Sequence, residues 1–390
     1  MARSLYLIIT TLLVLSLSIM VAARTVALGR KEEAVYTVTS YKGKHNKSAG
    51  VSAAAGEDSL KSAWRKACQS GGPATLAVTD GLFSEGAVII DGSGCNNKGV
   101  ITFEMKGTTH LAPENANFGE AWIKFYKVSN VLIDGGVLNA QGGSGRATTL
   151  AIHNSAGVTI RGVTLQNSQM FHMAIVDCSN VVVTSTEIQA PEDSQNTDGI
   201  HVSRSSQVKI TGSNVIGTGD DCISIGPGCT NLLVDGLDCG PGHGVSIGSL
   251  GKESGEEPVK DITVQNVHFH GTTNGVRIKT FANNNRGLVE GVLFQQLTME
   301  DVENPVIIDQ QYESSSSTED SNVQIQDVKY EDIRGTSASQ EAVVFKCSAT
   351  HKCTGITVSD VALTYNGNKP DAICNNVRLV NNAPCNNVLL

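Results

Sequence analysis

The chain lacks an excess of positive charge: its 390 residues include 29 Lys and Arg against 38 Asp and Glu, a formal net charge of −9. A protein with this charge is not attracted as a whole to polyanions, so we expect no nucleic-acid partner. It also lacks a CxxC pair and a Cys/His cluster with zinc spacing, so we expect no metal and no other cofactor. Any cations that bind an acidic ligand must act locally, against the overall field.

Long apolar runs are absent after the N-terminus. Residues 5–21 form one apolar stretch, preceded by Arg3 and followed by Val21-Ala22-Ala23 before Arg24. This order predicts a secretory signal over residues 1–23. A membrane anchor is the alternative, because the run approaches spanning length; the small residues at its exit and the lack of a later apolar segment favour cleavage. We therefore expect residues 24–390 to form one secreted, extracellular domain that is a monomer and is not membrane-bound.

Secretion makes the ten cysteines candidates for disulfide bonds. Their spacing suggests four local pairs: Cys68 with Cys95, Cys222 with Cys239, Cys347 with Cys353, and Cys374 with Cys385. Two cysteines, Cys178 and Cys229, are left over. Cys178 follows a mostly apolar run, which predicts a buried free thiol rather than a reactive one.

Helical periodicity is missing from most of the chain after residue 128, where a different pattern recurs. A polar residue or glycine is followed by an aliphatic, any residue and a second apolar residue. The copies lie at 130–134, 157–161, 180–183, 207–210, 231–235, 261–265, 291–294, 322–325 and 355–358. Short alternating segments of this kind predict strands, and their repetition without intervening helices predicts coils stacked into a parallel β-solenoid. A sheet sandwich is the competing fold, but it does not explain polar motifs that keep register from coil to coil.

One segment has a convincing helical pattern. Residues 58–70 place Leu60, Ala63, Trp64 and Ala67 on one face, and Gly71-Gly72-Pro73 is a strong stop signal. A helix near the N-terminus can cover the open end of a solenoid, whose strand edges are otherwise unpaired.

Four polar motifs follow one another at similar intervals: Asn196-Thr197-Asp198, Gly219-Asp220-Asp221, Gly242-His243-Gly244 and Arg277-Ile278-Lys279. Asp198 and Asp220 are 22 residues apart, and so are Asp221 and His243. A step of that size can be one coil, so these residues would stack as neighbours about 4.8 Å apart. The alternative, turn residues without a function, explains one Asp-Asp pair better than it explains four motifs in register.

The residue types suit the hydrolysis of a glycosidic bond in an acidic sugar chain. One carboxylic acid protonates the leaving oxygen, and in the inverting mode a second carboxylate activates water. Asp198, Asp220 and Asp221 are three candidates, and crowding of like charges should keep one of them protonated. His243 would hydrogen-bond the acid. Arg277 and Lys279 share one strand face and could clamp a substrate carboxylate, or they could simply be solvated; Tyr312, about one long coil later, is a further candidate for sugar contact.

These motifs resemble the four signature motifs of polygalacturonases, glycoside hydrolase family 28. The similarity covers most of the chain after about residue 60, and residues 190–205 and 217–226 are most similar to plant, pollen-type members, many of which are exo-acting. The resemblance implies a right-handed parallel β-helix and inverting hydrolysis of α-1,4-galacturonan in pectin at the cell wall. It implies no cofactor.

The resemblance also implies a role for each site residue. The residue matching Asp220 is the general acid, and those matching Asp198 and Asp221 activate the water. The residues matching His243, Asn196, Arg277, Lys279 and Tyr312 support catalysis or bind substrate, and we expect His243 to take part in catalysis and the other four to bind substrate.

Three segments depart from the family pattern. Residues 46–50 replace an acidic segment before the helix, the loop at 143–146 is shortened, and Glu313 with a serine run replaces a cysteine after Tyr312. These departures keep alternatives open: a rhamnogalacturonan or xylogalacturonan hydrolase, or a pectin-binding wall protein with weak activity. Exo cleavage is slightly favoured over endo cleavage. A pectate lyase would need bound calcium, and no comparable acidic metal nest stands out in the sequence.

Overall fold

A computed structural model describes residues 33–38, 54–79, 87–113, 117–143, 145–314, 320–380, 385 and 389. The predicted signal segment, residues 1–23, lies outside these ranges. Within them the chain forms one helix, α1 (Ala54–Gln69), and strands arranged in two parallel sheets of 17 and 11 strands. No helix in the described part of the chain is both long and apolar enough to span a membrane.

The strands of the larger sheet turn a corner within each coil and so build two sides of the solenoid. They are β1 (Ala34–Val38), β2 (Ala74–Val78), β4 (Ile101–Glu104), β5 (Thr109–Leu111), β7 (Ser129–Asp134), β8 (Val137–Asn139), β10 (Ala156–Arg161), β11 (Thr164–Gln166), β13 (Ser179–Thr184), β14 (Glu187–Gln189), β16 (Ser206–Gly217), β18 (Thr230–Cys239), β20 (Val259–His270), β22 (Arg286–Val302), β24 (Asn322–Ser337), β26 (Cys353–Thr364) and β28 (Val377–Leu379).

The strands of the smaller sheet alternate with these and form the remaining side. They are β3 (Val88–Asp91), β6 (Ala121–Tyr126), β9 (Thr148–His153), β12 (Met173–Val176), β15 (Ile200–Ser203), β17 (Ile223–Ile225), β19 (Val245–Leu250), β21 (Asn274–Phe281), β23 (Asn304–Tyr312), β25 (Glu341–Lys346) and β27 (Asp371–Asn375). The protein is a right-handed parallel β-helix, as the resemblance implied.

The recurring sequence pattern corresponds to the stacking of the coils. Val131 pairs with Val158, which pairs with Val181 in the next coil, and all three are buried. The polar residue or glycine before each of them bends the backbone at positive φ, for example Asn130 at 54° and Gly157 at 64°. Asn and Gly tolerate this left-handed conformation best, which explains the residue types at that position.

One predicted copy of the pattern, 322–325, is wrong in register. Val292 pairs with Val328, so the true counterpart of 291–294 is 327–330, where Asp327 takes the bend at φ 55°. The cause is the length of β24, which begins well before the bend. Its alternation therefore starts early, and the first matching residues in the sequence are not those that occupy the corner.

The predicted helix is confirmed, although it spans Ala54–Gln69 rather than 58–70, and it covers the N-terminal end. It packs against β1, β2 and β3, with Leu60, Ala63, Trp64 and Ala67 buried. The Trp64 indole donates a hydrogen bond to the Asp91 carbonyl at 2.7 Å.

All four predicted disulfides are present, and Cys178 and Cys229 are free and buried. Burial raises the pKa of the Cys178 thiol to about 11. Both its burial and its raised pKa disfavour the thiolate, and Cys178 is the buried free thiol that the sequence predicted.

Candidate active site

The smaller sheet brings the first three polar motifs into adjacent coils. Each motif lies just before a strand, Asp198 before β15, Asp220 and Asp221 before β17, and His243 before β19. Backbone bonds join the coils at these points: Gly199 N–H to the Asp221 carbonyl at 2.9 Å, and His243 N–H to the Asp220 carbonyl at 2.8 Å. The 22-residue spacing therefore does correspond to one coil.

Asp221 is the buried centre of the cluster and is held by two cations. Its side chain is 2 % exposed. Its Oδ1 accepts hydrogen bonds from Arg277 Nη2 at 2.8 Å and Ser246 Oγ at 2.7 Å, and its Oδ2 accepts one from Lys279 Nζ at 3.0 Å. Asp221 is therefore the shared counter-charge of Arg277 and Lys279.

Asp220 is more accessible than Asp221 and contacts His243. Its Oδ1 lies 3.1 Å from His243 Nδ1 and accepts the Asp221 backbone N–H at 2.8 Å. Burial raises the pKa of Asp220, but the His243 hydrogen bond and the positive charges of His243 and Lys279 outweigh it, so the pKa is lowered overall.

Asp198 has the opposite electrostatic environment. Burial, followed by the negative charges of Asp221 and Asp220, raises the pKa of Asp198 well above its usual range. Ser224 opposes this rise through a hydrogen bond, and Lys279 opposes it through its charge. Crowding by like charges therefore contributes to the raised pKa of Asp198, as the sequence predicted for one of the three carboxyls, but burial is the larger cause.

Arg277 and Lys279 lie on β21 with both side chains on the same face as the carboxylates. Tyr312, at the end of β23, places its ring 5.1 Å from Lys279 Nζ and 6.0 Å from Arg277 Cζ. Burial raises the pKa of Tyr312 to about 12, so its hydroxyl remains a hydrogen-bond donor. The structure brings all three residues to the cluster, but both cations already bind Asp221, a partner that the sequence did not reveal.

Asn196 lies beside the cluster in the exposed loop before Asp198. Together with Thr197 it lines a cleft of about 610 Å³. Gly143, Gly145 and Arg146 line the same cleft, so the loop that is shortened in the sequence helps to shape it.

Four further residues support the cluster and belong to none of the sequence motifs: His172, His201, Ser224 and Ser246. Ser224 and Ser246 occupy the strand position of Arg277 in the two preceding coils. The His201 ring stacks on Phe171 with centroids 4.5 Å apart, and its Nδ1 lies 2.8 Å from Ser224 Oγ. The two serines were predictable from the register of the coils, since each follows its motif by three residues. The two histidines were not, because a single histidine outside a motif does not indicate a function.

His172 fixes the backbone at Asp198. Its Nδ1 lies 3.1 Å from the Asp198 carbonyl and its Nε2 accepts the Ser168 N–H at 3.3 Å. One nitrogen therefore donates and the other accepts, which defines a neutral ring. Burial lowers the pKa of His172 to about 4.

This buried neutral histidine predicts a pH-dependent contribution to stability. An unfolded histidine takes up a proton near pH 6.5, whereas the folded one does so near pH 4, so the contribution is full above pH 6.5 and is lost as the pH falls toward 4. By pH 5 the loss is about 2 kcal/mol. Denaturant unfolding at pH 7 and pH 5 measures the effect. Between these pH values we expect the free energy of unfolding of the His172→Phe variant to fall less than that of wild type, by about this amount. An equal decrease in both proteins would contradict a neutral His172.

Three residues of the site have the spacing of a metal-binding group. Asp220, Asp221 and His243 present donor atoms within 4.8 Å of one another. Both oxygens of Asp221 are, however, bound by Arg277, Lys279 and Ser246, so a metal ion would compete with two fixed positive charges. These three side chains are therefore better suited to proton transfer than to metal binding.

Known proteins are similar to this chain in sequence and in fold. Residues 68–385 match the model of Glycosyl hydrolases family 28. A polygalacturonase from Prunus persica is 43% identical over 84% of this chain and 88% of its own length, and an exopolygalacturonase from Platanus acerifolia is 36% identical over 81% and 89%. Among solved structures, an endo-xylogalacturonan hydrolase from Aspergillus tubingensis has a TM-score of 0.74 at 20% identity, over 88% of this chain and 96% of its own. The chain belongs to glycosyl hydrolases family 28 and is a glycoside hydrolase.

Proposed function

We propose that the protein hydrolyses α-1,4-galacturonosyl linkages of homogalacturonan, the acidic backbone of pectin, with inversion at the anomeric carbon. The observation that carries this proposal is the cluster of three stacked carboxylates beside two buried cations, in which the pKa of Asp198 is raised and that of Asp220 is lowered. The relatives named polygalacturonase support the substrate class. The release of reducing ends from polygalacturonic acid at mildly acidic pH tests the proposal, and no release would contradict it.

Asp220 is assigned as the general acid on the basis of access. It is the member of the cluster that contacts His243 and still has an exposed side chain, 24 % against 2 % for Asp221. In the free protein its pKa is lowered, which favours its ionised form. An acidic substrate brings a carboxylate and excludes water, and both effects raise the pKa of a neighbouring carboxyl. The assignment therefore requires the proton of the cluster to move to Asp220 when substrate binds.

Asp198 and Asp221 are assigned to the activation of water. Asp221 is fixed by hydrogen bonds from Arg277, Lys279 and Ser246, whereas the pKa of Asp198 is raised, so Asp198 must be ionised before it can accept a proton from water. The three groups share their protons, so the pH profile reports the cluster rather than one residue.

The Ser224→Ala variant tests the role of Asp198. The Ser224 hydroxyl favours ionised Asp198, so its removal raises the pKa of Asp198 further. If Asp198 acts as a base, the acidic limb of the pH profile of kcat/KM moves to higher pH. The maximal kcat should fall less than about tenfold, since the variant loses only one hydrogen bond. If Asp198 were the acid, the alkaline limb would move instead. Ser206→Ala, on the larger sheet, is the matched control and should leave both limbs in place.

Exo cleavage is proposed as the mode of attack. Its support is the pollen-type character of residues 190–205 and 217–226 and the relatives named exopolygalacturonase. Viscosity and product size followed together distinguish the modes: monomer with little loss of viscosity is expected, whereas rapid thinning would mean internal cuts. Rates on rhamnogalacturonan and xylogalacturonan, measured in parallel, should be lower than on homogalacturonan.

Secretion to the cell wall as a monomeric enzyme, after removal of residues 1–23, is also proposed. Four disulfides support it, because such bonds persist in oxidising compartments. The continuous ladder of paired strands supports a single domain. N-terminal sequencing of protein recovered from the culture medium tests the predicted start at Arg24, and gel filtration tests the monomer.

A further inference from the structure

A second group of titratable side chains lies on the outside of the larger sheet. It consists of Asp238 on β18, His268 and His270 on β20, and Glu300 on β22, and is called here the His268 cluster. Phe269 separates the two histidines and is fully buried, so both imidazoles point outward. Strand register places Asp238 directly opposite His268, and Glu300 directly opposite His270.

One carboxylate oxygen lies between the two rings. Asp238 Oδ1 is 3.1 Å from His268 Nδ1 and 3.3 Å from His270 Nε2, and the ring centroids are 5.5 Å apart. In a tetrahedral zinc site with bonds of about 2.0–2.2 Å, neighbouring donor atoms stand roughly 3.3 Å apart. Both Asp–His pairs already have that separation. The nitrogens of His268 and His270 stand farther apart, since the three donor atoms do not all lie within 4.8 Å of one another. A shared ion therefore requires rotation of the two imidazoles, whose side chains are about two-fifths exposed.

Glu300 determines which nitrogen of His268 is available. Its Oε2 lies 3.2 Å from His268 Nε2, and since a carboxylate only accepts, Nε2 carries the proton. In the neutral ring Nδ1 then presents a lone pair toward the Asp238 oxygen. Nδ1 is therefore the nitrogen that a metal ion shared with Asp238 would take.

We propose that Asp238, His268 and His270 bind one borderline divalent transition-metal ion, with Glu300 orienting His268. Two imidazoles and a carboxylate suit Zn²⁺, Cu²⁺ and Ni²⁺, and a carboxylate behind a ligating histidine is the usual second partner in such sites. The exposure of the cluster leaves a fourth position for water. Sequence spacing did not reveal the site, because its ligands come from two neighbouring coils.

The ion would connect β18 and β20, the strands of the larger sheet that follow the Asp221 and His243 motifs in the chain. Asp238 precedes Cys239, whose disulfide partner Cys222 follows Asp221. The backbone at Gly240 lies against His270, so that a Cβ there would come within 2.7 Å of the ring Nδ1. Binding would therefore stabilise the segment that leads to His243, and we expect zinc to raise the thermal midpoint of the protein.

The test is calorimetric titration of the EDTA-treated full chain with ZnCl₂ at pH 7. We expect one ion per chain, at least tenfold weaker binding in Glu300→Gln, and loss of binding in His268→Ala/His270→Ala. The double variant should keep its activity on polygalacturonate, since it touches no catalytic residue. His243→Ala is the matched control: it removes one histidine from the other cluster and should bind zinc as wild type does.

Copper provides a second readout that does not depend on the double variant folding. The electron paramagnetic resonance spectrum of one equivalent of Cu²⁺ should show coupling to two imidazole nitrogens in wild type and to one in His270→Asn. Because protons compete for the same nitrogens, affinity should fall from pH 7 to pH 5. No binding, unchanged binding in the His268 cluster variants, or loss of binding in His243→Ala would each overturn the proposal.

Discussion

The Asp220→Asn variant is expected to lose about 10³-fold or more of kcat on polygalacturonic acid while KM and thermal stability change little. The size of the loss follows from the leaving group, because a sugar alkoxide departs slowly without a proton and a positioned acid contributes roughly 10²–10⁴-fold. The asparagine retains an oxygen for the Asp221 N–H and His243 contacts at 2.8 and 3.1 Å. Steady-state kinetics with a reducing-end assay measures the effect.

The control for this variant is Asp193→Asn. It makes the same change in charge in the exposed loop before Asn196, and it should leave kcat unchanged. A loss of less than tenfold in Asp220→Asn would show that Asp220 is not the acid. Asp198, the carboxyl whose pKa is raised, would then be the next candidate.

The Asp221→Asn variant is expected to lose both activity and stability. Arg277 and Lys279 are only 13 % and 8 % exposed, and Asp221 is their shared counter-charge. Removal of one partner from a buried ion cluster costs about 3–5 kcal/mol, because the remaining charges are left uncompensated. The loss of a water-activating carboxylate should lower kcat by about 10³-fold. Denaturant unfolding and steady-state kinetics measure the two losses separately.

Asp134→Asn is the matched comparison for stability. Asp134 is also buried and paired, through Arg161 and Lys106 at 2.7 Å each. Its cations are about half exposed, so solvent screens them and the destabilisation should be smaller, with kcat unchanged. If Asp221→Asn is inactive but as stable as wild type, Arg277 and Lys279 must have other partners. If the variant is active, Asp221 does not take part in catalysis.

The sequence predicted what depends on local pattern and period. The capping helix follows from Leu60, Trp64 and the Gly71-Gly72-Pro73 stop, and the coils follow from alternating aliphatic residues after a bend. The disulfides were found because each pair closes a short loop. The stacking of Asp198, Asp220 and His243 followed from equal spacing, since a solenoid converts spacing along the chain directly into proximity.

The features that the sequence did not predict depend on side-chain reach across several coils. Arg277 contacts Asp221 from two coils away, and a motif pattern cannot show whether such a cation faces a substrate or a carboxylate. The opposite pKa shifts of Asp198 and Asp220 arise from burial and His243, which are properties of the packed structure. The error at 322–325 has the same origin, because only pairing with β22 defines where the bend in β24 falls.

The most direct test of the proposed mechanism is proton NMR of the first product formed from polygalacturonic acid. With Asp220 as acid and water activated by Asp198 and Asp221 on the opposite face, the α-linkage must yield the β-anomer first, followed by mutarotation. Initial appearance of the β-anomer, lost in Asp220→Asn, is the predicted result. Initial appearance of the α-anomer, an unsaturated product or no product would contradict an inverting hydrolysis at this site.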